Sequence, residues 1–219
     1  MKLERGMNKL KKFERNVLGA DYVVGDIHGD WDAVDAALLS VRFDDDVDRL
    51  FSVGDLVDRG PDSELALEWL AKPWFHAVRG NHEDMCMEVF RGSWPVHNYI
   101  QNGGAWFMGL QRAEQQTYVD AFDSLPYAIE IDTATGSVGV VHAEVPGNDW
   151  ANVDGIVDDV ESMLWARTKF KKQDATEVAN IDRVYVGHTP LKHVVQLGNV
   201  HYIDTGSVFP EGTLTIVKL

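Results

Sequence analysis

The chain has 219 residues, of which 45% are hydrophobic and 25% charged, which suits one globular domain with a substantial core. Its formal net charge of −15 argues against nucleic acid and membranes as main partners, because both carry negative charge. No apolar run reaches the roughly 18 residues of a membrane span. The single cysteine, Cys86, excludes an intramolecular disulfide, and we expect a cytoplasmic protein.

The first third of the chain repeats one pattern three times: a β-like run, a polar loop, then apolar residues at helical spacing. Such strand–loop–helix units predict parallel strands joined by crossover helices, with polar residues at the carboxyl ends of the strands. The predicted strands are residues 21–24, 50–53 and 74–78, and the helices that follow are 31–40, one that begins near Pro61, and 85–90.

The middle of the chain, residues 96–125, is predicted to be helical and contains Asn102-Gly103-Gly104. The last third alternates as strands do, with one amphipathic helix over residues 154–165. Turns are predicted at Thr135-Gly136 and Gly198-Asn199. The strands predicted in this third are 127–131, 138–142, 184–186, 193–197, 201–203 and 213–218.

These elements predict an α/β (α+β) fold in which a two-sheet β-sandwich is flanked by helices. We find no linker or low-complexity tract, so we expect one domain over residues 1–219. The basic leader, residues 1–16, is expected to be flexible and without a function of its own.

Five loops that follow β-like runs contain side chains of the kinds that bind metal ions. A single Asp-Gly turn or a single histidine is ordinary, but the same chemistry at five successive strand ends predicts a metal site. Oxygen and imidazole donors without thiolate favour Mn²⁺, Fe or Zn²⁺. The loop residues are Asp26 and His28, then Asp55, Asp58 and Arg59, then Asn81 and His82, and finally His142 and His188.

The motifs GDIHG, GDLVDRG, RGNHE and GHTP, in this order and with His142 before the last, resemble the PPP-family serine/threonine protein phosphatases. The segments NGGAWF, LWAR and YIDTGSVF extend the resemblance over nearly the whole chain, and it is closest to the branch of bacteriophage lambda phosphatase and its bacterial relatives. The resemblance implies a calcineurin-like metallophosphoesterase fold. It also implies an enzyme that hydrolyses phosphate monoesters by in-line attack of a metal-bridging hydroxide, with phosphoproteins or phosphopeptides as substrates.

The resemblance also implies a role for each matched residue. Asp26, His28 and Asp55 bind one divalent ion, for which Mn²⁺ is expected and Fe or Zn²⁺ are the alternatives. Asp55, Asn81, His142 and His188 bind the other, so that Asp55 bridges the pair. His82 is the general acid and Asp58 is its partner. The residues implied to contact the phosphate are Arg59, Arg167 of LWAR, and Asn81.

Two alternatives remain. A symmetrical dinucleoside tetraphosphatase shares the same metal core, but relatives of that kind tend to lack the aspartate at position 58 and to read GNHD where this chain has Glu83. A non-catalytic binding module with the same fold would be expected to have lost ligands, and every ligand position is kept here. Asp58 and Glu83 therefore favour the protein phosphatase.

Overall fold

The strands of the chain form two separate sheets. The computed structural model describes residues 10–153 and 160–219. Within these ranges, short runs rich in β-branched and aromatic side chains form ten strands. They are β1 (Leu10–Phe13), β2 (Asp21–Val24), β3 (Arg49–Ser52), β4 (Phe75–Ala77), β5 (Ala128–Thr133), β6 (Gly136–Val141), β7 (Arg183–Val186), β8 (Val195–Leu197), β9 (Val200–Tyr202) and β10 (Ile216–Lys218).

The helices are mostly short and pack on the outer faces of the sheets. Helix α1 begins after Asp30, whose side chain accepts a hydrogen bond from the backbone N–H of Ala33. No helix in the described ranges is long and apolar enough to cross a membrane. The helices are α1 (Trp31–Val41), α2 (Ala66–Leu70), α3 (Asn81–Arg91), α4 (Val96–Gln101), α5 (Ala105–Met108), α6 (Arg112–Asp123), α7 (Val160–Trp165) and α8 (Thr168–Lys171).

The larger sheet has the order β1-β5-β6-β7-β9-β8, and the smaller sheet has the order β10-β2-β3-β4. Strands β2, β3 and β4 run parallel, which confirms the prediction from the strand–loop–helix repeats. Strands β6 and β7 are also parallel to each other. The predicted turn at Gly198-Asn199 joins β8 to β9, which pair antiparallel.

The two sheets pack face to face around an apolar layer, and further apolar layers lie beneath the helices on each side. Val23 and Phe51 of the smaller sheet meet Ile129 and Val140 of the larger sheet in the central layer, and all four are fully buried. The predicted two-sheet sandwich flanked by helices is therefore confirmed.

Strand β1 lies in the segment that was assigned to a flexible leader, and for residues 10–13 that expectation is wrong. These residues pair in parallel with β5. Leu10 is buried, and the ring of Phe13 packs edge-on against Phe51 with the centroids 5.0 Å apart. Lys11 and Lys12 between them are exposed. The run has only four residues, two of them charged, so its sequence shows no recognisable strand pattern.

Two helical predictions need refinement. The helical region 96–125 is divided into α4, α5 and α6. The break between α4 and α5 lies at Gly103, whose φ of 103° no helix accepts. The predicted helix over residues 154–165 is observed as α7 in its second half, and residues 154–159 lie outside the described residues.

Candidate active site

The loops that carry the predicted site residues meet at the carboxyl ends of five strands. Strands β2, β3 and β4 contribute from the smaller sheet, and β6 and β7 contribute from the larger one. Several of these residues have left-handed backbone conformations, which are uncommon for residues other than glycine and cluster at functional sites. They are His28, Asp55, Asp58, Arg59 and His188, with φ between 50° and 72°.

Asp55 lies at the centre of the site. Its Oδ1 is 3.4 Å from Nε2 of His142, and its Oδ2 is 3.7 Å from Nε2 of His28 and 3.9 Å from Nε2 of His82. Two buried triads could each hold a metal ion, with donor atoms within 4.8 Å of one another: His28, Asp55 and His82, and Asp26, Asp55 and His142. Asp55 belongs to both, which is the arrangement that a bridging carboxylate requires.

The histidine tautomers are set by backbone carbonyl groups. Nδ1 of His28 lies 3.0 Å from the carbonyl oxygen of Val57, and Nδ1 of His142 lies 2.8 Å from that of Val53. Because a carbonyl oxygen only accepts, each Nδ1 is the protonated nitrogen and each Nε2 presents a lone pair. Burial lowers the pKa of His28 to about 3 and also lowers that of His142, so both rings are neutral, as metal ligands must be.

Three acceptor atoms converge on one point beside Asn81. Nε2 of His188 donates to the carbonyl oxygen of Trp165 at 3.1 Å, so Nδ1 of His188 carries a lone pair. This atom and Nε2 of His142 each lie 2.8 Å from Oδ1 of Asn81. None of these three atoms carries a proton, unless the Asn81 amide is flipped so that its nitrogen takes the place of Oδ1. A convergence of lone pairs is what a cation needs, so these residues fit a metal ion.

The carboxylates of the site also fit a cation. Burial raises the pKa of Asp26 well above its usual value, with the charges of Asp204 and Asp55 adding to the effect. Burial alone would raise the pKa of Asp55 too, but the surrounding imidazoles lower it further, so it lies below the ordinary value. Buried carboxylates of this kind are costly unless a cation balances them, and divalent ions with oxygen and imidazole ligands would do so.

His82 and Asp58 form a buried pair at the edge of this cluster. Nδ1 of His82 lies 2.7 Å from Oδ2 of Asp58, and both side chains are almost fully buried. Burial lowers the pKa of His82, but the Asp55 charge and the hydrogen bond to Asp58 raise it more, so its pKa lies above the ordinary value. Nε2 of His82 has no hydrogen-bond partner among the described residues and faces Asp55.

The two predicted phosphate-binding arginines are both exposed and contact different histidines of the site. Nη1 of Arg59 donates at 2.5 Å to Nε2 of His28, and this nitrogen of His28 is the atom that is predicted to bind metal. Nη2 of Arg167 donates to the carbonyl oxygen of His188 at 2.8 Å. Both guanidinium groups therefore lie at the candidate metal cluster.

The structure adds residues that the sequence analysis left without a role. Glu83 is fully buried, and its carboxylate accepts hydrogen bonds from the backbone N–H groups of Asp55, Leu56 and Gly80, at 3.0, 2.7 and 2.7 Å. Asp204 is buried near Asp26, and burial raises its pKa to about 6. Both lie inside segments of the family resemblance, RGNHE and YIDTGSVF, which is the sequence feature that would have pointed to them.

Tyr99 and Trp106 are two further residues of this kind, and both contact the carboxylate of Asp58. Trp106 belongs to the segment NGGAWF, and Tyr99 lies just before it. The sequence analysis places both in the predicted helical region 96–125 and assigns neither a role. Aromatic residues at helical spacing usually belong to the core, so spacing alone gives no reason to assign them to a site.

The model of the calcineurin-like phosphoesterase family matches residues 22–206 of the chain. Over 202 residues the chain is 37% identical to serine/threonine-protein phosphatase 1 of Salmonella typhimurium, which covers 90% of this chain and 91% of the relative. It is 34% identical over 204 residues to serine/threonine-protein phosphatase 2 of Escherichia coli, at 90% and 92% coverage.

Similarity to the alternative class of enzyme covers less of the chain. A symmetrical bis(5'-nucleosyl)-tetraphosphatase of Salmonella paratyphi B is 42% identical over 76 residues, which are 33% of this chain and 27% of that protein.

Solved structures show the same fold at low sequence identity. A crystal structure assigned provisionally as a diadenosine tetraphosphatase superposes with a TM-score of 0.62 at 21% identity, over 96% of this chain and 97% of that one. A protein serine/threonine phosphatase of Saccharomyces cerevisiae gives 0.61 at 16% identity, over 98% and 84%. The family match over residues 22–206, the full-length relatives at 34% and 37% identity and the shared fold establish that the chain belongs to the calcineurin-like phosphoesterase family.

Proposed function

We propose that the protein is a divalent-metal-dependent phosphatase that removes phosphate from phosphoserine and phosphothreonine of protein substrates. The relatives that match 90% of the chain are serine/threonine-protein phosphatases. The observation that carries the proposal is the buried His82–Asp58 pair beside the Asp55 cluster, because a serine alkoxide is a poor leaving group that needs a proton.

The metal cluster is proposed to hold two ions, with Asp26, His28 and Asp55 around the first. Asp55, Asn81, His142 and His188 surround the second, and Mn²⁺ is the proposed metal, with Fe or Zn²⁺ as the alternatives. When bound, two such cations activate a water molecule for attack and neutralise the oxygens of the phosphoryl group. The chain itself supplies neutral imidazoles and a shared carboxylate in fixed orientations.

His82 is proposed to protonate the leaving oxygen through Nε2. Its Nδ1 is engaged by Asp58 at 2.7 Å, so Nε2 is the nitrogen left to exchange a proton with the substrate. The raised pKa of His82 keeps the ring protonated at higher pH than an ordinary histidine. The alternative role is that of a metal ligand, because His82 forms a triad with His28 and Asp55, and substitution of His82 separates the two roles.

Arg59, Arg167 and Asn81 are proposed to bind the phosphate. A planar guanidinium can bind two phosphate oxygens at once, and these two arginines contact different histidines of the site. Their positive charge also offsets the overall charge of −15, which would otherwise repel phosphorylated substrates. We place the enzyme in the cytoplasm, on the ground of its single cysteine.

The experiment is a substrate comparison with Mn²⁺-loaded protein. The kcat/KM values for a phosphoserine peptide, a phosphothreonine peptide and diadenosine tetraphosphate are measured side by side. We expect the peptides to be preferred, because the His82–Asp58 pair serves the poorer leaving group. A preference for diadenosine tetraphosphate of about tenfold or more, equal to about 1.4 kcal/mol, would instead support the tetraphosphatase to which 33% of the chain is similar.

A further inference from the structure

We propose that Tyr99 and Trp106 are positioning residues that orient the general acid through Asp58. The inference rests on the proposed role of His82 and extends it to two aromatic residues outside the loops that carry the metal cluster. Their hydrogen bonds fix the Asp58 carboxylate, and the carboxylate in turn fixes the His82 ring for proton transfer to poor leaving groups.

The two oxygens of Asp58 have separate partners. Oδ1 accepts hydrogen bonds from the hydroxyl of Tyr99 at 3.0 Å and from Nε1 of Trp106 at 2.7 Å. Oδ2 faces Nδ1 of His82 at 2.7 Å. With both donors on one oxygen, the carboxylate cannot rotate without breaking them, and the other oxygen remains directed at the histidine.

The backbone of Asp58 makes such support necessary. Asp58 and Arg59 are consecutive residues with φ of 71° and 72°, a conformation that residues with a Cβ atom rarely adopt. A strained pair persists only when its surroundings determine it. The backbone N–H of Asp58 is bound by Oγ of Ser63 at 2.8 Å, and the side chain is bound by Tyr99 and Trp106.

The glycines of the NGGAW segment place the two donors. A Cβ atom on Gly103 would lie 2.2 Å from the backbone nitrogen of Arg59, and one on Gly104 would lie 2.3 Å from the ring of Tyr99. Only glycine allows this approach, so the segment packs directly on the loop that contains Asp58 and on the Tyr99 ring. Tyr99 is fully buried and Trp106 is half-buried, which keeps water from competing for Oδ1.

A structural role alone is the alternative, since buried carboxylates accept hydrogen bonds wherever they occur. The two explanations differ in their dependence on the leaving group. Loss of orientation in a general acid slows the release of a leaving group that needs a proton and spares one that does not. A general loosening of the site would slow both reactions alike.

The test uses Trp106→Phe and Tyr99→Phe, each of which keeps a ring and removes one donor. Matched controls are Trp150→Phe, which removes an indole bond of 2.8 Å to Glu130, and Tyr118→Phe, which removes a hydroxyl bond of 2.8 Å to the carbonyl of Glu64. Each Mn²⁺-loaded enzyme is assayed on phenyl phosphate and on p-nitrophenyl phosphate. Phenol has a pKa of about 10 and needs the proton, whereas nitrophenolate leaves as a stabilised anion.

We expect Trp106→Phe and Tyr99→Phe each to lower kcat on phenyl phosphate about tenfold, with KM unchanged and less than about threefold loss on p-nitrophenyl phosphate. In an Asp58→Asn background the same changes should lower kcat on phenyl phosphate by less than about a further twofold, because the donors act through Asp58. The controls should leave the ratio of the two substrates unchanged.

Equal losses on both aryl phosphates, or full additivity with Asp58→Asn, would overturn the proposal. Failure of both variants to fold while both controls fold would also overturn it, because the pair would then belong to the core alone. This assay uses aryl phosphates, so it stays informative even if peptides prove to be poor substrates. Failure of the proposed protein phosphatase function would appear in the peptide assay and is therefore distinguishable from failure of this proposal.

Discussion

At the scale of single residues, the site is defined by which nitrogen or oxygen of each side chain is free. Backbone carbonyl groups bind Nδ1 of His28 and His142, and Asp58 binds Nδ1 of His82. Each of these rings therefore directs Nε2 at Asp55. Of the three, only His82 combines this direction with a carboxylate partner and a raised pKa, which supports the proposed role of an acid over that of a metal ligand.

His82→Asn tests that distinction. We expect the variant to keep both metal ions and to lower kcat by ~10²–10⁴, with a larger loss on phosphoserine than on p-nitrophenyl phosphate. Metal content is measured by elemental analysis and turnover on both substrates. Loss of one ion per chain would show instead that His82 is a ligand, as its place in the triad with His28 and Asp55 permits.

Arg167→Ala should weaken phosphate binding. The loss of a charge-assisted hydrogen bond costs about 1.5–3 kcal/mol, so kcat/KM on phosphate esters should fall about ten- to a hundredfold and inhibition by free phosphate should weaken. Arg167→Lys should rescue this only in part, because lysine lacks the planar fork. Arg112→Ala is the control: it too donates to a backbone carbonyl, at 2.9 Å, but lies on α6. If Arg167→Ala leaves kcat/KM and phosphate inhibition as Arg112→Ala does, Arg167 does not bind the phosphate.

At the scale of elements, edge strand β4 places His76 in an aromatic environment between the sheets. Its ring lies 4.5 Å from that of Phe13 and 5.3 Å from that of Phe51. Burial, together with the charges of Lys11 and Arg49, lowers the pKa of His76 to about 4. The folded protein therefore binds this proton less readily than the unfolded chain, whose histidines titrate near pH 6.5.

Protonation of His76 at low pH destabilises the folded protein. Above about pH 6.5 His76 contributes no pH dependence, and as the pH falls from about 6.5 toward 4 it lowers the free energy of unfolding. His76→Gln removes the titration, so the difference in unfolding free energy between variant and wild type should shift in favour of the variant over that range. Urea denaturation between pH 4.5 and 8 measures this, with the exposed His193→Gln as control. A difference that does not change with pH would contradict the assignment.

The elements also show what sequence can and cannot predict. The parallel order of β2, β3 and β4 was predictable because each strand is followed by a polar loop and a helical pattern. Strand β1 was not, because four residues with two lysines carry no usable alternation. The contacts of Tyr99 and Trp106 with Asp58 were not predictable for a different reason: these residues lie 41 and 48 positions from Asp58 in the chain, and tertiary packing brings them to its loop.

At the scale of the whole molecule, the candidate metal cluster joins the two sheets. Asp26, Asp55 and Asn81 follow strands of the smaller sheet, and His142 and His188 follow strands of the larger sheet. Ions bound here would bind the folded state and not the unfolded chain. The predicted consequence is that metal contributes to stability as well as to chemistry.

Removal of metal should therefore lower the free energy of unfolding. At a free Mn²⁺ concentration 100 times the dissociation constant, each independent site contributes about 2.7 kcal/mol. Thermal or urea unfolding of chelated and Mn²⁺-loaded protein measures this, and Asp55→Asn should abolish most of the difference because Asp55 belongs to both triads. Asp132→Asn, an exposed carboxylate on β5, serves as the control. An identical unfolding curve with and without metal would argue against a site that spans the sheets.

The central claim is that hydrolysis depends on two ions that share Asp55. The most direct measurement is turnover of a phosphoserine peptide by metal-stripped protein as Mn²⁺ is added, with bound Mn²⁺ per chain determined in the same samples. The account predicts no turnover without metal, full turnover as two ions bind per chain, and loss of this response in Asp55→Asn. Full turnover in a preparation verified to be free of metal would contradict it.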